Sequence, residues 1–102
     1  MKLGYAEIIE IVSKSLSKFI KIKDISPEVH AQVSRLSNKT ALSNIIKENF
    51  AFNDELDKYV LLNKFINNIE QLISNQARLS DYESEILRGI IENSFNEVTK
   101  NL

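Results

Sequence analysis

Cysteine is absent from the chain, which excludes a disulfide framework and any thiolate metal site. That composition suits a reducing compartment. Turn-forming residues are almost as scarce: Gly4, Gly89 and Pro27 are the only glycines and proline. An all-β protein needs many of them, so their scarcity predicts long helices with few links. His30 is the sole histidine, and a zinc or di-iron centre needs several convergent ligands. Charge of one sign is lacking too. The formal net charge is −1, which gives no broad field to attract nucleic acid or anionic lipid. No run approaches the ~20 apolar residues of a membrane-spanning helix. Glu7, Glu10, Lys14 and Lys18 interrupt the first apolar stretch, so it does not read as a secretory leader. The chain is therefore expected to be cytoplasmic and not membrane-spanning.

What is present is amphipathic. Hydrophobic residues make up 43% of the 102 residues and charged ones 26%, ordinary proportions for a folded globule. A domain of this size buries roughly 65% of the surface its unfolded chain exposes, enough for a core without staples. One domain over residues 1–102 is expected, with no internal repeat or low-complexity tract.

Four helical segments follow from apolar periodicity. In residues 4–20, Tyr5, Ile8, Ile9, Val12, Leu16 and Phe19 share one face, widened by Ile11 and Ile20. Glu10 and Lys14 are placed to pair on the opposite face. Ser26-Pro27-Glu28 then reads as a helix start: a capping hydroxyl, a fixed φ and an acid at the positive end of the dipole. Val29, Val33 and Leu36 continue that helix. The stripe loses phase at Ser37-Asn38-Lys39-Thr40 and resumes with Leu42, Ile45 and Ile46. The pattern leaves open whether one helix spans residues 27–49 or breaks near Asn38, where short polar side chains compete for backbone bonds. Asn53 or Asp54 is placed to cap a third helix reaching residue 75. Its stripe is Leu56, Tyr59, Val60, Leu62, Ile66, Ile69, Leu72 and Ile73, broadened by Phe65. Ser80 and Glu83 match a capping box opening a fourth helix with Tyr82, Ile86, Leu87, Ile90, Ile91, Phe95 and Val98 on its stripe. On the outer face Arg88 is spaced to pair with Glu85 or Glu92. Four amphipathic helices with short links predict an all-α, antiparallel (up-down) four-helix bundle.

Chemistry is harder to find. The acidic groups Asp54-Glu55-Asp57 and Asp81-Glu83-Glu85 lack the alternating ligands and glycine of a calcium loop, and helix-start charge accounts for both. There is no Gly-x-Ser-x-Gly elbow and no glycine-rich phosphate loop. No catalytic residue, metal ligand or cofactor is predicted. Lys14, Lys18, Lys21 and Lys23 form the one basic concentration, read as a solvated face rather than a phosphate site because Glu7, Glu10 and Asp24 dilute it. Phe50 and Phe52 read as plugs at the end of the bundle rather than a presented pair. Tyr5, Tyr59 and Tyr82 read as core residues with hydroxyls at the rim. The polar face of the last helix, with Arg88, Glu92, Asn93, Asn96 and Lys100, is the candidate partner-binding surface. A solvated helix face is the ordinary alternative.

The chain resembles the immunity proteins that protect lactic acid bacteria from pediocin-like bacteriocins, above all the enterocin A immunity group. The likeness rests on the helix layout, the Pro-led second helix and the short acidic link before the third. Locally it rests on Leu61-Leu62-Asn63-Lys64-Phe65-Ile66 and on Ala77-Arg78-Leu79-Ser80-Asp81-Tyr82-Glu83-Ser84-Glu85-Ile86-Leu87-Arg88. The resemblance implies a cytoplasmic antiparallel four-helix bundle. Such a protein engages the membrane mannose phosphotransferase permease once bacteriocin has bound it, and so blocks the lethal pore. It implies that partner specificity resides in residues 88–102. A small helical adaptor or regulator of a soluble protein partner is the alternative, to be separated by capture of a stable soluble complex. A carboxylate enzyme would need a polar central cavity that the apolar stripes do not predict. The charge balance disfavours a nucleic-acid partner.

Overall fold

The computed structural model describes residues 3–50 and 57–100, without the side chains of Lys39 and Asn49. Among these residues the fold is all-α with five helices: α1 (Tyr5–Phe19), α2 (Pro27–Leu36), α3 (Lys39–Asn49), α4 (Lys58–Ser74) and α5 (Asp81–Thr99). Four helices were expected from the periodicity, and the difference lies at Asn38. Its backbone is extended, and its side chain accepts from the Thr40 and Ala41 amides at 3.0 and 3.3 Å. The Ser37 hydroxyl takes the Val33 carbonyl at 2.8 Å. A side chain therefore bonds the backbone on each side of the break, and two helices replace one.

Other caps follow the sequence closely. The Ser26 side chain accepts from the Val29 amide ahead of α2, with Pro27 at the first helical position. Ser80 and Glu83 form the capping box of α5. Asp57 caps α4 by accepting from the Tyr59 amide at 2.9 Å. The capping candidates Asn53 and Asp54, with Phe52 and Leu56, lie outside the described residues.

α5 organises the packing. It lies most extensively against α1 and then against α4, while α2 touches α1, α3 and α4, and α3 rests on α1 and α2. α4 and α5 run antiparallel: Phe65 meets Phe95 at 5.7 Å between ring centroids, and Glu70 meets Arg88, so advancing along one helix retreats along the other. Phe50, at the end of α3, is buried and lies 5.5 Å from Phe65. Ile11, Val12, Phe19, Val29, Val33, Ile69, Leu87 and Ile91 are fully enclosed around this aromatic line.

The buried stripe of α4 differs in phase from the expected one. Leu61, Phe65, Ile69 and Ile73 form an i, i+4 ladder into the core, with Leu62, Ile66 and Leu72 half-buried beside it. Tyr59 and Val60 point outward, at 72% and 45% exposure, because the helical turn that faces Leu61 inward rotates its two predecessors away from the core. Tyr82 is also exposed in the first turn of α5, and Tyr5 in that of α1. The three tyrosines are therefore surface residues rather than core ones. Tyr5 is held by its hydroxyl, 2.6 Å from Ser43 Oγ, with Lys47 Nζ 5.9 Å above its ring.

Candidate functional site

α5 owes its position to a carboxylate. Glu83 is 4% exposed although it is charged and sits in the first turn. One oxygen accepts from the Ser80 amide at 2.9 Å, and the other from the Ser26 amide at 2.8 Å. The same side chain thus closes the capping box of α5 and fastens the start of α2 to it. Burial pushes the Glu83 carboxyl up, but the Ser80 and Ser26 amides and the Ser80 hydroxyl outweigh it and hold it below its ordinary value. The sequence revealed the capping box; the bond to Ser26 spans residues far apart in the chain and had no local signal.

Three ion pairs fix the two margins of the outer face of α5. Toward α4, Arg88 Nε donates to Glu70 Oε1 at 2.7 Å, with Nη2 3.5 Å from Oε2. The hydrogen bond and charge of Glu70 raise the Arg88 pKa. Toward α1, Glu97 meets Lys18 at 3.2 Å and Lys14 at 3.5 Å. The Lys18 hydrogen bond and charge lower the Glu97 pKa against the opposing effect of burial, with a lesser contribution from Lys14. The i, i+4 pair between Glu10 and Lys14 forms at 3.5 Å. Half of the basic concentration read from sequence is thus engaged by carboxylates, while Lys21 and Lys23 are exposed.

Between these margins the candidate residues share one exposed surface. Arg88, Glu92, Asn93, Asn96 and Lys100 are all solvent-facing, Lys100 immediately after the last helical residue. Twelve residues of helix carry them over about 18 Å. Leu87, Ile91, Ser94, Phe95 and Thr99 occupy the opposite side. A cleft of about 390 Å³ opens at the start of this face, lined by Asp81, Ser84, Glu85 and Arg88. The expected pairing of Arg88 within its own helix is replaced by the bond to Glu70. The guanidinium reaches across to a carboxylate that is only 18% exposed, where the attraction is screened less by water. Glu85 and Glu92 are left exposed.

Gly89 lies at the centre of this face, and no motif around it in the sequence marks it. It is exposed in mid-helix, and a Cβ built there meets nothing within 4 Å. Alanine at such a position is better by about 0.5–1 kcal/mol. No contact among the described residues accounts for the glycine.

Glu83 is the one buried carboxylate among the described residues, and backbone amides saturate it. His30 is exposed, and no group of three or more metal-ligating side chains occurs among the described residues. A second, apolar groove of about 310 Å³ lies between α1 and α3, lined by Ile9, Ser13, Leu42 and Ser43. No described helix is long and apolar enough to cross a membrane. No family model, curated protein or solved structure matches the chain.

Proposed function

We propose that the chain is a bacteriocin immunity protein that acts by binding, presenting the outer face of α5 from the cytosolic side to the mannose permease carrying a pediocin-like peptide. One observation carries the binding part of this reading. A continuous polar surface from Arg88 to Lys100 stands on a helix tied at its start by Glu83 and along both margins by Glu70 and by Lys14 and Lys18. A surface held so rigidly loses little conformational freedom on docking. The resemblance of residues 61–66 and 77–88 to the immunity family supplies the identity of the partner. The reading includes the family's antiparallel four-helix bundle, with α2 and α3 counted as one interrupted helix; the α4–α5 hairpin supports that arrangement.

The test is protection. A bacteriocin-sensitive lactic acid bacterium expressing the chain in its cytosol is challenged with a panel of pediocin-like peptides beside an empty-vector control. Survival against one or a few is the expected result. Killing by all of them, with the protein expressed and folded, would sink the immunity reading.

The exposed Tyr59 and Val60 at the start of α4 favour one second reading, a helical adaptor for a soluble protein partner. A stable soluble complex that is lost on Tyr59→Ser would select it.

A further inference from the structure

The centre of the α5 face has a definite chemistry. Gly89 has Glu85 one turn before it and Glu92 and Asn93 one turn after it, all exposed. The cation that could neutralise both carboxylates, Arg88, is committed to Glu70. Two acidic side chains therefore flank a gap whose floor is bare backbone, with open space above it. A partner backbone can come closer at Gly89 than at any neighbouring position that bears a side chain.

We infer that this gap seats a helical segment bearing lysine or arginine, which crosses α5 over Gly89 and places its cations against Glu85 and Glu92. Two features select that occupant. The carboxylates are complementary to cations and repel an acidic segment. A second copy of the chain crossing at the same point would set Glu85 and Glu92 against themselves, which disfavours self-association there. The inference rests on the reading that the outer face of α5 is the binding face; it does not depend on the partner being a permease complex.

The experiment is a titration of the isotope-labelled chain with three synthetic helical peptides, followed by amide resonances. One peptide carries lysines one turn apart on a face of alanines. The others carry glutamate or glutamine in place of each lysine. The lysine peptide is expected to shift resonances across residues 82–96, with binding that weakens as salt is added. Glu85→Gln with Glu92→Gln should weaken it severalfold and flatten its salt dependence. Gly89→Leu, which meets open space in the free protein, should abolish the shifts while leaving Tm at or above that of the parent. If the lysine peptide moves nothing, the inference is wrong. Should the glutamine or glutamate peptide move the α5 resonances instead, α5 stands as the binding face and the cationic partner is overturned. Shifts confined to another surface would overturn both.

Discussion

α5 and α3 are both amphipathic helices, yet the protein holds them very differently. α5 has a capping box, a buried carboxylate linking it to α2, ion pairs on both margins and a line of core residues through Leu87, Ile91 and Phe95. α3 has the Asn38 cap at one end and buries Leu42 and Ile46, with Phe50 just beyond its end. A groove of about 310 Å³ is left between it and α1, and the Tyr5–Ser43 hydrogen bond with Lys47 over the ring spans that side. The apolar stripe decides which way a helix faces. Polar ties at its ends and edges decide how firmly that facing is kept. α5 is therefore suited to present a fixed surface, whereas α3 is expected to open at lower free energy.

The largest expected effect comes from removing the aromatic line. Phe95→Ala deletes a fully buried ring against Phe65 and should cost about 3–5 kcal/mol in denaturant unfolding. Leu42→Ala, beside the groove under α3, should cost distinctly less because the cavity opens to water. Equal losses would erase the contrast between the two helices.

Glu83→Ala comes next. It leaves the Ser26 and Ser80 amides without their carboxylate partner and should cost about 2–3 kcal/mol. The effect depends on pH with a definite sign. The folded state holds this carboxyl below the ordinary glutamate value of 4.5, so the unfolded chain binds the proton more readily. The stabilisation is present above that pH and is lost as pH falls through the lower folded value. Unfolding curves from pH 7 down to pH 2 should show part of the acid loss vanish in the variant. An unchanged acid limb would show that Glu83 does not fasten the two helix starts.

Asn38→Ala should cost about 1 kcal/mol and accelerate hydrogen exchange in α3 while leaving α5 amides protected. Exchange rising in both helices to the same degree would contradict their separate anchoring. The smallest effect is a gain. Ser94 is fully buried on α5 and its hydroxyl has no partner among the described residues, so Ser94→Ala should stabilise by about 0.5–1 kcal/mol, read as a raised denaturation midpoint.

The same contrast explains what was legible in the sequence. Signals confined to a few neighbouring residues were readable: Ser26-Pro27, the Ser80–Glu83 box and the Glu10–Lys14 pair appear where the spacing places them, as does the α1 stripe from Ile8 to Phe19, though not its first member, Tyr5. Features that need the third dimension were not. Arg88 has carboxylates within reach on its own helix, and only the packing of α4 on α5 brings Glu70 closer. Ser26 and Glu83 lie 57 residues apart. Tyr59 and Val60 fit an apolar stripe, but the i, i+4 ladder from Leu61 to Ile73 takes the core-facing positions. The break at Asn38 was half-visible, since a loss of phase marks a kink and a break alike, and the cap geometry separates them. All five residues of the candidate binding surface share the exposed face, as their spacing implied, while Gly89 among them was missed because its meaning lies in the empty space above it.

The outer face of α5 is the surface on which the proposed function depends. The most direct measurement is killing of a sensitive lactic acid bacterium by a pediocin-like peptide, with cells expressing either the chain or its Asn93→Arg, Asn96→Arg double variant. Both positions are exposed, so the variant should fold with an unchanged Tm. The account predicts that the chain protects and the variant does not. Equal protection by both would contradict the role of α5, and killing in both would contradict the immunity function itself.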